Sequence, residues 1–328
     1  MANLSRGSWG PCPFVYQLPS TGIQRYHMFY RISPVLFGLC GLLPLAHAQK
    51  PAAENRPEEA GPAAGPVYEK VPVDSLASSG IFSSKPAVIT GYLLKAPASA
   101  SGGKTPGAVL TPACEGLMAP DGKRIKVKYR RMGKLLNDMG LTVLMVDGFT
   151  PRGFDEVCTR AHIDPITRLK DSLGGLAYLR GLPTVAGDQI VTVTWGATAG
   201  LQGMNKANAL AAAPGAGFAG AVMFYPECTQ VENRFAPYAP IQMFVGEKDA
   251  WNPAAPCQAL AQRQEAGSAP FAIKIYPDAY HAFDGPLPPH INNDNRKLGP
   301  VMVGNNPSAM ADAYMVTTEF VSGLLKKP

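Results

Sequence analysis

The sequence lacks several features that would indicate particular classes of protein. Its pronounced apolar run, Pro34 to Leu45, is too short to cross a bilayer. No histidines and acids stand together at the spacing of metal ligands, and no cysteine pair has the CxxC spacing of a thioredoxin-like redox centre. We therefore expect no metal, no cofactor and no stable insertion into a membrane.

Charge is also scarce, because charged residues make up only 16% of the chain. The formal net charge is +6, and residues 1 to 48 contribute Arg6, Arg25 and Arg31 but no acid. The remainder therefore holds 27 basic and 24 acidic residues, a net charge of +3. Such a balance gives no electrostatic reason to expect a nucleic-acid partner.

The N-terminal region has the pattern of a secretory signal. Arg31 precedes the apolar run, and Ala46-His47-Ala48 is a small-residue cleavage site. We predict a signal peptide over residues 1–48, of which 28–48 are the true signal, with cleavage after Ala48 and a periplasmic or secreted product. Residues 49–66 are rich in Pro, Ala and Glu and predict a disordered linker, so that residues 67–328 form a single domain.

Beyond Val67, short apolar runs alternate with amphipathic stretches. The predicted strands are 88–95, 107–112, 141–147, 190–195, 221–226, 241–246 and 271–277, and the predicted helices lie near 123–139, 164–180, 199–212 and 255–266. A final helix places Ala313, Val316, Phe320 and Leu324 on one face. This order predicts an α/β fold with a mostly parallel, doubly wound sheet flanked by helices.

Four cysteines follow the predicted signal peptide, and an even number in an exported chain favours two disulfides. Each of the pairs Cys114–Cys158 and Cys228–Cys257 joins loops that follow strands. Because the carboxyl ends of parallel strands meet at one edge of a sheet, we predict these two pairings.

The same edge of the sheet is where the chemistry of such folds is expected. Asp249 follows the strand 241–246, and His281 follows the strand 271–277. A turn, then an acid, then a histidine is the chain order of the catalytic triad in α/β-hydrolases. The acid there fixes the imidazole tautomer and the imidazole takes the proton of the nucleophile. Alternatively, Asp249 only caps the helix that follows it.

The segments VDGFTPRGFDEVC, FYPEC, GEKDAWNPAAPC and YPDAYHAFD resemble the dienelactone hydrolase family, specifically its exported members. The resemblance covers residues 80 to 325 and implies an α/β-hydrolase fold with a Ser or Cys, Asp, His triad that acts on esters or lactones. It assigns the acid to Asp249, the base to His281 and a small-molecule ester, lactone or related compound as the ligand.

The chain departs from the family at the nucleophile turn, which usually reads Gly-Trp-Ser-x-Gly-Gly. Alignment on Trp195 places Gly196 at the nucleophile position, with the N–H of Ala197 as an oxyanion donor. A register shifted by two residues gives a GxTxG motif with Thr198 as the nucleophile. The turn usually requires φ > 0, which glycine accepts and a β-branched threonine does not, so backbone sterics favour Gly196.

A second departure lies in the loop after the early strand, where the family resembles His-Gly-Cys-Gly-Gly-Leu. This chain has Pro112-Ala113-Cys114-Glu115-Gly116-Leu117, and the loop helps to form the oxyanion hole in the family. An ionised Glu115 beside a developing oxyanion would oppose the charge that such a hole stabilises.

The remaining candidates have simpler interpretations. The run from Lys123 to Lys134 is basic, but Ile125, Tyr129, Met132 and Leu136 form an inner stripe, so we expect most of its charge to be solvated. Arg152 follows a strand end and is expected to brace the site or to contact a carboxylate.

Three hypotheses follow. The first is hydrolysis of a carboxylic ester or lactone. The second is a binding protein that keeps the pocket but has lost the Ser or Cys nucleophile. The third is a hydrolase in which His281 activates water directly, assisted by Glu115 or Asp249.

Overall fold

The computed structural model describes residues 67–76, 87–97, 103–159, 163–196, 198–208, 217–231, 235–293, 295 and 298–325. The predicted signal peptide and linker, and the oxyanion donor Ala197, lie outside the described residues. Within the described ranges, no helix is both long enough and apolar enough to cross a membrane.

An eight-stranded sheet forms the centre of the fold. Its strands are β1 (Glu69–Asp74), β2 (Val88–Leu94), β3 (Thr105–Thr111), β4 (Thr142–Asp147), β5 (Val185–Trp195), β6 (Gly220–Phe224), β7 (Ile241–Gly246) and β8 (Phe271–Tyr276). Their order across the sheet is β1-β2-β4-β3-β5-β6-β7-β8. The strands β1 and β2 pair antiparallel, as do β2 and β4, and the other neighbours pair parallel.

In the described part of the chain, five α-helices cover the two faces of this sheet. They are α1 (Val127–Asp138), α2 (Pro165–Gly181), α3 (Thr198–Met204), α4 (Ala254–Gln262) and α5 (Pro307–Leu325). Buried residues of α2, α3 and α4 share one apolar cluster with the strands, and those of α1 and α5 share the other. Because the central strands β4, β6 and β7 are buried on both faces, their side chains are almost all apolar.

The architecture is the mostly parallel, helix-flanked sheet that the sequence predicts, and the strands begin and end close to their predicted bounds. The predicted inner stripe of α1 is also confirmed, since Ile125, Tyr129, Met132 and Leu136 are all buried. Both predicted disulfides, Cys114–Cys158 and Cys228–Cys257, are present. Disulfides of this kind are typical of proteins outside the cytoplasm.

The prediction of a helix over 199–212 was wrong for residues 205–208, and residues 209–212 lie outside the described residues. The helix α3 ends at Met204, whose carbonyl accepts a hydrogen bond from the N–H of Tyr238. The side chain of Asn205 then accepts from the N–H groups of Ala207 and Ala236, at 3.3 Å each. An asparagine that binds nearby backbone groups favours a turn over a continuing helix.

Candidate active site

The loops that follow β3, β4, β5, β6, β7 and β8 all leave the same edge of the sheet, because these strands are parallel. They carry Glu115, Arg152, Gly196, Tyr225, Asp249 and His281. The fold therefore brings Glu115 and His281, which are far apart in sequence, to the same edge of the sheet.

Asp249 and His281 form a direct pair. The Oδ2 atom of Asp249 lies 2.8 Å from Nδ1 of His281. The other carboxylate oxygen accepts the N–H groups of Trp251 at 2.9 Å and Asn252 at 2.7 Å. Asp249 thus fixes its own turn and the imidazole together. The alternative that it only caps the following helix is wrong, because the N-cap of α4 is Pro253 and no side chain caps that helix. With a hydrogen at Nδ1 donated to Asp249, Nε2 is the basic nitrogen.

Two aromatic rings hold the His281 imidazole in place. The Trp251 ring stacks on it with centroids 5.1 Å apart, and the Tyr225 ring lies 4.4 Å away at a tilted angle. Asn252 links these elements, because its Nδ2 donates to the Tyr225 carbonyl at 2.8 Å. In the described part of the chain, Nε2 of His281 has no hydrogen-bond partner. The imidazole is therefore fixed in orientation while its basic nitrogen is free to accept a proton.

Gly196 lies in the turn between β5 and α3. Its φ of +63° is in the left-handed region, which glycine enters without steric cost. Its N–H donates to the Phe224 carbonyl at 3.0 Å, and a Cβ built on Gly196 would lie 3.3 Å from the Cβ of Ala113. The turn thus has the backbone form of a nucleophile elbow but carries no side chain.

Thr198, the alternative nucleophile, is the first residue of α3 and is buried. Its hydroxyl donates to the carbonyl of Glu227 at 3.4 Å and makes no hydrogen bond to His281 among the described residues. A threonine activated by this base would need that contact. The described geometry therefore shows no hydrogen bond through which His281 could activate Thr198.

The Glu115 carboxylate is paired with cations and is not an isolated negative charge. Its Oε1 lies 2.5 Å from Nζ of Lys128 and accepts the Tyr129 hydroxyl at 2.6 Å. Burial raises the carboxyl pKa, but the charges of Lys128 and Lys126 and these hydrogen bonds outweigh it and lower the pKa of Glu115 to about 2. Glu115 is ionised at neutral pH, and its charge is neutralised by lysines on the start of α1.

Lys128 shows that one charge of the basic run is not solvated. It is only 6% exposed, and its Nζ also donates to the Tyr225 hydroxyl at 3.0 Å. Burial and the nearby Asp284 raise the pKa of Tyr225 well above 10, so the phenol stays neutral and donates to Asp284 at 2.7 Å. Trp195, on which the nucleophile turn was aligned, is fully buried and donates its indole N–H to Asp284 at 2.8 Å. Sequence reasoning missed this network, in which side chains from five separate segments meet.

Arg152 contacts a carboxylate, which is one of the two roles expected of it. Its guanidinium makes two hydrogen bonds of 2.8 Å to the Asp171 carboxylate on α2 and another to the carbonyl of Gly148. Cys114, Glu115 and Cys158 place three potential metal-ligand atoms within 4.8 Å of one another. Because both sulfur atoms belong to the disulfide, they are not the thiolates that metal binding requires.

Comparison with known proteins fits this geometry. Residues 177–325, which include Gly196, Asp249 and His281, match the model of the dienelactone hydrolase family. This C-terminal part of the chain is similar to the dienelactone hydrolase family. No curated protein sequence matches the chain.

Solved structures share the α/β-hydrolase fold of this chain. A dienelactone hydrolase-like promiscuous phosphotriesterase from metagenomic libraries is 17% identical with a TM-score of 0.53, and the match covers 79% of this chain and 99% of that one. Apo esterase 2 of Thermogutta terrifontis is 13% identical with a TM-score of 0.54, covering 81% of this chain and 98% of that one. At such low identity the likeness establishes the fold alone.

Proposed function

We propose that this protein hydrolyses small carboxylic esters or lactones by general-base activation of water. The observation that carries the proposal is the Asp249–His281 pair, whose imidazole is fixed at Nδ1 and has an unbonded basic nitrogen at Nε2. A general base in this state removes a proton from water as it would from a hydroxyl side chain.

Water is the proposed nucleophile because the turn at Gly196 has no hydroxyl or thiol to offer. In enzymes with a serine or cysteine at this turn, an acyl-enzyme divides the reaction into two easier steps. Without it, hydrolysis takes one step and is slow, so we expect no burst phase.

The charge around the oxyanion loop supports a retained reaction. Glu115 is paired with Lys128, and Lys126 donates to the carbonyls of Glu115 and Gly116. Both lysines therefore act on Glu115 beside this loop, although Asp147 and Asp155 also act on Lys126. The paired Glu115 opposes a developing negative charge on the substrate less than an unpaired carboxylate would.

The test is steady-state hydrolysis of an activated phenyl ester and a small lactone by the wild type and by His281→Asn. A positioned general base contributes about 10²–10⁴-fold, so the variant should lose that factor. His290→Asn is the matched control, since His290 is outside the pair and bonds only the carbonyl of Pro288 among described groups. Equal rates in wild type and His281→Asn would overturn the proposal.

A second candidate is a binding protein without catalysis, and the glycine at position 196 favours it. In that case ester turnover by the wild type equals the background rate. A non-hydrolysable ester analogue would nevertheless bind saturably and quench the fluorescence of Trp251, which stacks on His281.

A further inference from the structure

A small cavity lies beside the first turn of α3, on the face of the sheet that α2 and α3 cover. Its volume is about 10 Å³, which is the space of about one water-sized particle. The polar residues Ser172 and Thr192 line part of it. Three further polar side chains, Thr111 of β3, Thr194 of β5 and Arg168 of α2, also line it. It is separate from the Asp249–His281 pair, which contributes no lining residue.

These three side chains are buried and have atoms without partners. Thr111, Arg168 and Thr194 are 5%, 8% and 4% exposed. The hydroxyl oxygens of both threonines and Nε of Arg168 make no hydrogen bond to any group in the described chain. Buried polar atoms are almost always hydrogen-bonded, so three of them at one small cavity indicate a ligand.

The charge of Arg168 indicates which kind of ligand the cavity would bind. One of its terminal nitrogens donates to the Pro112 carbonyl at 2.5 Å, and its guanidinium lies 5.6 Å from the centre of the Phe149 ring. No carboxylate of the described chain lies within ion-pair distance of it. The nearby acid Asp171 is already bound by Arg152. Arg168 is thus a buried cation with no described carboxylate in ion-pair contact, although the charges of Glu115 and Asp171 act on it from a greater distance.

We propose that this cavity binds one small monovalent anion, of the size of chloride, between Nε–H of Arg168 and the hydroxyls of Thr111 and Thr194. All three groups donate hydrogen bonds, and an anion accepts from all of them at once. The volume excludes polyatomic anions such as sulfate or phosphate. The anion neutralises a buried charge, which a water molecule does not.

The site connects the sheet to the helix that follows the Gly196 turn. Thr194 precedes that turn by two residues, and a Cβ on Gly200 would lie 2.6 Å from the Thr194 hydroxyl. An anion bound to both Arg168 and Thr194 therefore joins α2 to β5 directly behind the turn. Because the unfolded chain has no such site, the anion should stabilise the folded state.

The first test measures the melting temperature of the purified full chain during titration with sodium chloride or sodium bromide. Sodium gluconate keeps the ionic strength constant. The melting temperature should rise with halide as for one binding site, and Arg168→Met and Thr194→Val should lose this rise. Lys123→Met removes an exposed charge that does not line the cavity, so this variant should retain the rise in melting temperature. The proposal would be overturned if sodium gluconate alone raised the melting temperature as much as the halide does. It would also be overturned if halide raised the melting temperature of Thr194→Val as much as that of the wild type.

The second test locates the ion and does not depend on any variant folding. Crystals of the wild-type protein grown in sodium bromide should give an anomalous peak within hydrogen-bond distance of Nε of Arg168 and both hydroxyls. Density there without anomalous signal would identify a buried water and refute the anion.

Discussion

Replacing Gly196 with serine should convert the turn after β5 into a working nucleophile at a measurable cost in stability. The φ of +63° costs an L-residue about 1–2 kcal/mol. The new Cβ would also lie 3.3 Å from the Cβ of Ala113, which must yield slightly. For a domain of this size, about 1 kcal/mol lowers the melting temperature by roughly 2–4 °C, so Gly196→Ser should melt roughly 2–8 °C below the wild type.

The matched control is Gly196→Ala, which carries the same backbone strain and the same Cβ contact but no hydroxyl. With an activated phenyl ester, Gly196→Ser should show a burst of product and a covalent acyl adduct in the intact mass, and Gly196→Ala should show neither. Adding His281→Asn to Gly196→Ser should abolish the burst, because the serine then lacks its base.

Two results would refute this reasoning. If Gly196→Ala is as stable as the wild type, the turn does not require the left-handed conformation. If Gly196→Ser loses stability as expected but acylates no faster than Gly196→Ala, position 196 is not within reach of the base.

Three further predictions concern charge, disulfides and export. Glu115→Gln should lower the free energy of unfolding at pH 7 by roughly 2–3 kcal/mol, since it leaves Lys128 buried without its carboxylate. Folding lowers the Glu115 pKa from 4.5 to about 2, so the stabilisation from its charge is complete above pH 4.5 and is lost towards pH 2. The free energy of unfolding of Glu115→Gln should therefore change less between pH 4.5 and pH 2 than that of the wild type. Replacing Cys114 and Cys158 with serine should cost about 4 kcal/mol in the chain-entropy model for a separation of 44 residues. N-terminal sequencing of protein from the native host should begin at Gln49.

Each of these has a direct check. Urea unfolding of Glu115→Gln and the wild type between pH 7 and pH 2 measures the first, and parallel pH curves would contradict it. Urea unfolding of the double serine variant measures the second, and an unchanged midpoint would show that the disulfide does not stabilise the fold. A membrane-bound product that retains residues 28–48 would exclude the predicted cleavage.

Most of the sheet could be predicted from sequence because its central strands are continuous apolar runs. The strand β1 could not, since its sequence EKVPVD is charged, contains a proline and is exposed at alternate residues. It forms because it pairs with β2 at the edge of the sheet, which is a tertiary effect. The short hairpin of β9 (His290–Asn292) and β10 (Val301–Val303) has too few residues to show a period.

At the site, the acid and the base could be placed because each follows a strand of recognisable pattern. The partners of Glu115 could not be predicted, because the apolar stripe of α1 gives no reason to expect Lys128 to be buried. Its burial depends on Tyr225 and Glu115, which reach it from two other loops. The cavity beside Arg168 could not be predicted either, since its polar lining comes from β3, β5 and α2.

The account rests on the claim that glycine, and no nucleophilic side chain, occupies the turn after β5. The direct measurement is treatment of the wild type with a fluorophosphonate probe, followed by intact-mass and peptide analysis, with Gly196→Ser as the positive control. We predict no adduct on the wild type and a single adduct at position 196 of Gly196→Ser. A stoichiometric wild-type adduct at Thr198 that disappears in Thr198→Ala would contradict the claim and identify a threonine hydrolase.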